Sequence, residues 1–264
     1  MEPMVSIALR AARKAGDIIV RASDELDRIT PQAKGAADFV TDVDIAAEKE
    51  ILYHLQKTYP DHGFIAEESG RTGNPDAEAV WLIDPLDGTS NFMRGIPHYC
   101  VSIACLMNGR VEHAVVVDPV RREEFTASRG RGAQLNGRRI RVSSRTDLRE
   151  SLLGTGIPFL GHQDAILPTY VQTIAELAAQ SMGIRRAGAA ALDLAYVAAG
   201  RLDGFWEVGL SSWDIAAGSL LVKEAGGLVS DIRGGEGYLD DGSIVCGGPK
   251  IFKKVLSVVG PALR

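Results

Sequence analysis

The chain has 264 residues, of which 45% are hydrophobic, enough to bury a large core in one or two domains. Its formal charge of −5 exerts no global pull toward nucleic acid. Three cysteines, Cys100, Cys105 and Cys246, are an odd number without zinc-ligand spacing, so they read as inert thiols of a reducing compartment.

In chain order, the first element is an amphipathic helix over 3–23. Arg10, Arg13, Lys14 and Asp17 interrupt it too often for a signal peptide or membrane span. A cytoplasmic location with no membrane partner is expected. Pro31 to Ala37 reads as a loop in which Lys34 either neutralises charge on closing or is simply an exposed lysine. A helix over 44–57 follows, with Ile45, Ile51, Leu52 and Leu55 at helical spacing. Apolar runs at 63–67, 80–84, 101–107, 111–118, 124–128, 134–136 and 139–142 are divided by Asn108-Gly109, Arg129-Gly130 and Asn136-Gly137, which mark hairpins. Beyond Ser151, strand candidates alternate with helices at 163–180, 189–199, 212–225 and 250–259. The expected organisation is an α+β half, 1–150, with an antiparallel sheet and most of the site acids, and an α/β half, 151–264. Packed as one unit, they form a layered αβαβα sandwich with the site between them.

Residues 80–92 carry the sharpest chemistry. The strand Val80 to Ile83 delivers Asp84 at its end, Pro85 forces a turn, and Asp87 points back to the same place while the Leu86 carbonyl is left free. The backbone N–H groups of Gly88, Thr89 and Ser90 would make an anion site. Two acids beside an anion site repel a phosphate unless cations lie between, so divalent metal and phosphate are implied together. A lone Asp-x-x-Asp is most often a solvated turn. An aspartyl-phosphate mechanism of the haloacid-dehalogenase type is excluded, because Pro85 stands where the nucleophile would be. Further acids recur around it: Asp42 and Asp44 opening a helix, Glu67-Glu68-Ser69 ending a strand, Glu207 ending Gly204-Phe205-Trp206, and Asp214 in the first turn after Ser211-Ser212. Each alone could be a helix-dipole acid. Together they form a pattern.

With Trp81-Leu82-Ile83-Asp84-Pro85-Leu86-Asp87-Gly88-Thr89-Ser90-Asn91-Phe92, Glu67-Glu68-Ser69 and Trp213-Asp214-Ile215-Ala216-Ala217-Gly218, the chain resembles the inositol monophosphatase family over nearly its whole length. Gly188 to Ala195 looks like that family's bacterial SuhB-like branch. Ser90 stands where many members have threonine, and the loop Ile157 to His162 differs from the animal enzymes' polyol-contacting region. The family groups with fructose-bisphosphatases and bisphosphate nucleotidases, and it shares the layered sandwich.

The resemblance implies a Mg²⁺-dependent, lithium-sensitive hydrolase of inositol-1-phosphate or a related polyol phosphate, with two or three ions per site. Glu67, Asp84 and the Leu86 carbonyl would hold one ion, and Asp84, Asp87 and Asp214 another. Thr89, paired with Asp44, would orient and deprotonate the attacking water, with no phosphoenzyme. Leu86 to Ser90 would cradle phosphate, while Asp87, Glu207, Asp214, Arg185 and the backbone of Gly188, Ala189 and Ala190 would meet the alcohol. It also implies a homodimer. A second function is a docking role in bacterial transcription and ribosomal RNA synthesis, and a third is a bisphosphate nucleotidase or sugar bisphosphatase. Residues 121–150 carry nine arginines against four acids. They are either solvated hairpin faces or a contact surface for an acidic transcription partner.

Overall fold

A computed structural model describes residues 2–26, 32–35, 38–158 and 165–263. Helix α1 (Pro3–Ser23) and helix α2 (Asp42–Thr58) precede most of the sheets, with the short hairpin β1 (Gln32–Gly35) and β2 (Asp38–Val40) between them. α2 starts two residues before the sequence pattern suggests, because the Thr41 hydroxyl accepts the Val43 N–H while Asp44 accepts the Thr41 N–H.

The large sheet has eight strands in the order β10-β9-β8-β7-β6-β5-β3-β4. These are β3 (Gly63–Ala66), β4 (Gly70–Gly73), β5 (Ala79–Asp87), β6 (Cys100–Met107), β7 (Arg110–Asp118), β8 (Glu123–Ser128), β9 (Gly132–Leu135) and β10 (Arg138–Arg139). Every neighbouring pair is antiparallel except β3 with β5. The three Gly-containing turns do connect hairpins, with Asn108 and Asn136 at φ 51° and 49°. After β5 comes the one-turn helix α3 (Thr89–Met93), which the apolar pattern does not signal.

The second sheet has five strands in the order β12-β11-β13-β15-β14. Its chain order is β11 (Leu152–Thr155), α4 (Leu167–Gln180), β12 (Gly183–Arg185), α5 (Ala190–Ala198), β13 (Gly204–Glu207), α6 (Ser212–Glu224), β14 (Leu228–Ser230), α7 (Tyr238–Asp241), β15 (Ile244–Gly247) and α8 (Pro249–Leu263). β11 runs parallel to β12 and β13, while β15 is antiparallel to β13 and β14.

Alternation along the strands sorts side chains into three cores. On β5, Trp81 and Ile83 pack with α1 and α2 through Ala12, Ile19 and Leu55, whereas Leu82 faces the other way, toward α5 and α6. On β13, Phe205 joins that middle core and Trp206 joins an outer core with Tyr170 and Leu177 of α4 and Ile251 and Val255 of α8. The layers are therefore α1/α2, large sheet, α5/α6, small sheet, α4/α8: the expected αβαβα sandwich. The middle layer holds Ala190, Ala191, Ala195, Ala198, Ala216 and Ala217, all buried, and small side chains let two helices lie between two sheets. Among the described residues, no helix is long and apolar enough to cross a membrane. All three cysteines are free and buried.

Candidate active site

Strand β5 does not stop at Asp84. It shifts register against β6 between Asp84 and Asp87, so that both aspartates leave the same sheet end. Asp84 is 2% exposed and accepts the Leu86 N–H at 3.0 Å on Oδ1. Gly88 then turns at φ 94°, and a Cβ there would lie 3.0 Å from the His98 carbonyl and 3.2 Å from Ala189 Cβ. Only glycine fits both the backbone and the space.

Asp84 faces Glu67, Asp87 and Asp214. Burial, then the charges of these three, push its carboxyl well above the usual range. Asp214 is pushed up in the same way by burial and by Asp87, and Asp87 itself is raised to about 7, chiefly by burial. Each also has a local anchor. Asp214 Oδ2 accepts the Ser211 N–H at 2.7 Å as part of the capping box that opens α6. Asp87 Oδ2 accepts the Ala191 N–H of α5 at 2.7 Å. Among the described residues, no three His, Cys, Asp or Glu side chains form a ready-made metal cluster. Asp84 and Glu67, and Asp84 and Asp214, also lie within hydrogen-bond reach of each other. The donor set nevertheless fits Mg²⁺, since it consists of hard oxygens whose mutual repulsion a divalent cation would relieve.

Thr89 Oγ1 lies 2.9 Å from Asp44 Oδ1 and 3.0 Å from the Leu86 carbonyl, and its proton can serve either. Asp44 is 1% exposed and its other oxygen accepts the Thr41 N–H at 2.9 Å and the Thr41 hydroxyl at 2.5 Å. Burial is the main influence on its carboxyl, and raises it. Ser90 is exposed beside Thr89 in α3.

Glu207, 8% exposed, ends β13 opposite this cluster, its carboxyl pushed well up by burial and then by the charge of Asp193. Gly156 makes room for it: a Cβ there would lie 1.6 Å from Glu207 Oε1. Gly188, Ala189 and Ala190 form the approach to α5. Asn91 Nδ2 ties that approach to the α3 turn by donating to the Ala187 carbonyl at 2.8 Å and the His98 carbonyl at 2.7 Å.

Arg185 does not join this group. Its side chain is exposed and bonds the Ile184 carbonyl at 3.2 Å, because β12 turns it outward; Arg186 is the cation whose charge acts on Glu207 and Asp193. Lys34 falls on β1, but its side chain lies outside the described residues, as do residues 159–162 of the Ile157 to His162 loop. Glu48, Asp193 and His98 escape sequence reasoning. Glu48 is 3% exposed on α2 and accepts the N–H groups of Glu68 and Ser69 at 2.7 and 2.9 Å, fixing the loop that carries Glu67. Its only signal is a position one helical turn after Asp44.

Five of the nine arginines of 121–150 have ion-pair partners, Arg131 with Glu2 at 3.6 Å among them. Arg121 pairs with Asp118 at 2.9 Å and donates to the Pro97 carbonyl; Arg129 pairs with Glu112, Arg145 with Asp203 and Arg149 with Asp147. Arg122, at φ 55°, instead borders a groove of about 520 Å³ between α1 and the β7–β8 turn, lined by the cations Arg10, Arg13, Lys14 and Arg21 and the acids Asp17, Asp118 and Glu124.

The model of the inositol monophosphatase family matches residues 1–260. A Pseudomonas aeruginosa protein named Nus factor SuhB is 57% identical over 265 residues, spanning 100% of this chain and 98% of its own. The crystal structure of extragenic suppressor protein suhB from Bartonella henselae superposes with a TM-score of 0.94 at 43% identity, covering 98% of each chain. The inositol monophosphatase structure from Anabaena gives 0.87 at 36% identity, covering 98% of this chain and 96% of its own.

Proposed function

The chain belongs to the inositol monophosphatase family, and from that premise we propose that it hydrolyses a polyol phosphate monoester, such as inositol-1-phosphate, to the alcohol and inorganic phosphate. The observation that carries this reading is the meeting of the half-buried Glu67, Asp87 and Asp214 with the buried Asp84, whose carboxyl their charges push up, beside the N–H groups that follow Gly88. Glu67, Asp84, Asp87, Asp214 and the Leu86 carbonyl would hold two or three Mg²⁺ ions. Mg²⁺ supplies charge neutralisation at the phosphate and lowers the pKa of a nearby water.

The chain's own residues do the rest. The N–H groups of Gly88, Thr89 and Ser90 bind the phosphate oxygens. Thr89 Oγ1 takes a proton from the attacking water as it passes its own to Asp44 Oδ1, a relay that the 2.9 Å contact supports. Asp44 stays fixed through the transfer because Thr41 holds its second oxygen. Glu207 and the backbone of Gly188 to Ala190 receive alcohol hydroxyls, with Glu207 as acceptor. Phosphate release from inositol-1-phosphate with Mg²⁺, measured against a sugar bisphosphate and a nucleoside bisphosphate, tests the reading. Release only from the bisphosphates would replace it with the third function.

A second reading is favoured by the relatives named Nus factor: a docking role in transcription. The α1 groove is its best location. Arg10, Lys14, Arg21 and Arg122 are exposed there, and among the described residues none of the four has an ion-pair partner. Cytoplasmic placement and a homodimer belong to the same proposal, the latter checked by sedimentation.

A further inference from the structure

His98 and Asp193 are the pair the mechanism leaves unused. Asp193 sits in the first turn of α5, 2% exposed, and His98 lies just before β6 with its side chain 13% exposed. His98 Nε2 and Asp193 Oδ1 are 3.6 Å apart, and both atoms are buried without a hydrogen-bond partner. Burying a carboxylate oxygen and an imidazole nitrogen this way is costly unless they serve each other. The facing atoms are each other's nearest remedy.

Their surroundings show what they join. The His98 carbonyl presses on Gly88 and accepts from Asn91, so the His98 backbone forms the back of the phosphate turn. The His98 ring meets Tyr196, three residues beyond Asp193 on α5, edge-on at 5.8 Å. Two residues before Asp193, the Ala191 N–H holds Asp87. Asp193 is also the foremost charge acting on Glu207. The imidazole thus faces α5 at two points about one turn apart, on the face that adjoins the α3 turn.

We propose that His98 and Asp193 are a positioning pair that seats the N-terminus of α5 against the phosphate turn, and thereby sets how tightly the site holds the alcohol half of its substrate. Neither touches substrate. The inference rests on the phosphatase reading, and it places the pair's effect on the Gly188–Ala190 backbone and Glu207 rather than on the phosphate-binding N–H groups.

The test uses the full-length protein and the variants His98→Phe, Asp193→Ala, Asp193→Asn and His98→Phe/Asp193→Ala. Phe keeps a ring against Tyr196 and Asn keeps an acceptor for the imidazole N–H. Expected for inositol-1-phosphate are a KM raised about tenfold in each of His98→Phe and Asp193→Ala, kcat within about twofold, and a double variant no worse than the poorer single one. Asp193→Asn should fall near wild type, and KM for an aryl phosphate without hydroxyls should not move. Hydrogen exchange on the protein without Mg²⁺ gives a readout independent of turnover: the Ala191 and Leu192 amides should exchange faster in His98→Phe and as in wild type in Asp193→Asn. Multiplicative effects in the double variant, equal losses on both esters, or unchanged exchange would overturn the pair. If wild type hydrolyses neither ester, the phosphatase reading falls, and the exchange data alone decide this one.

Discussion

Gly156→Ala should disable the site with a single methyl group. The glycine follows β11, where its backbone needs no left-handed conformation, so alanine meets only a spatial obstacle. The added Cβ would lie 1.6 Å from Glu207 Oε1, 1.9 Å from its Cδ and 2.4 Å from Oε2. Reaching ordinary contact requires the carboxylate to retreat by roughly 2 Å, and overpacking of this kind costs about 1–3 kcal/mol. For a chain of this size that corresponds to a Tm lower by about 2–6 °C. A misplacement of an ångström or more at a substrate-positioning group costs about 100-fold in kcat/KM. Stopped assays of phosphate release from inositol-1-phosphate, with calorimetry, measure both. Glu207→Ala in the same chain removes the obstacle, so the double variant should recover most of the Tm but none of the activity. Wild-type kcat/KM in Gly156→Ala would refute the placement of Glu207 at the alcohol. A Tm equally low in the double variant would refute the clash as its cause.

Asp84→Asn should abolish turnover and also the rise in Tm that Mg²⁺ gives the wild type, while leaving the Tm without Mg²⁺ equal or higher, since it removes a buried charge among three others. For Asp87 the folded carboxyl lies near 7, above its unfolded value, so the folded state binds the extra proton. Its stabilising share is present in acid and is lost as pH rises through about 7; without Mg²⁺, the Tm of Asp87→Asn relative to wild type should therefore climb between about pH 4 and 7 and level off above it, and a flat difference would deny that burial raises this carboxyl. Reversing Arg10, Lys14, Arg21 and Arg122 to glutamate should leave phosphate release unchanged while abolishing capture by a purified transcription complex. If capture persists, the groove is not the docking surface. Lithium at millimolar concentration should inhibit uncompetitively, and its absence in steady-state kinetics would count against product trapping in the second ion site.

Much of the architecture is legible because burial is periodic. Trp81, Leu82 and Ile83 announce a strand covered on both faces, and Asn108-Gly109 or Asn136-Gly137 can hardly be anything but hairpin tips. The acids at strand ends were legible because Asp84, Glu67 and Glu207 terminate apolar runs, a poor place for a charge without a task. What stayed hidden depends on direction rather than identity. Arg185 and Arg186 are indistinguishable in sequence, and only the alternation imposed by β12 turns the first outward. Glu48 and Asp193 sit in helices where a surface acid is ordinary, and nothing local reveals that each is nearly inaccessible. Residues 121–150 look uniformly cationic until Asp118, Glu112, Asp203 and Asp147 are seen to neutralise their neighbours.

Asp214 has a second occupation, as the acid of the capping box that starts α6. One of its oxygens already serves the Ser211 N–H, so an ion held there as proposed would share the carboxylate with a helix end. That sharing separates durability from loading. The cap itself needs no cation, so under that proposal loss of Mg²⁺ would leave α6 capped and the alanine-rich middle layer in place. Anything that recognises its outer surface would then find the same shape in a starved cell as in a replete one.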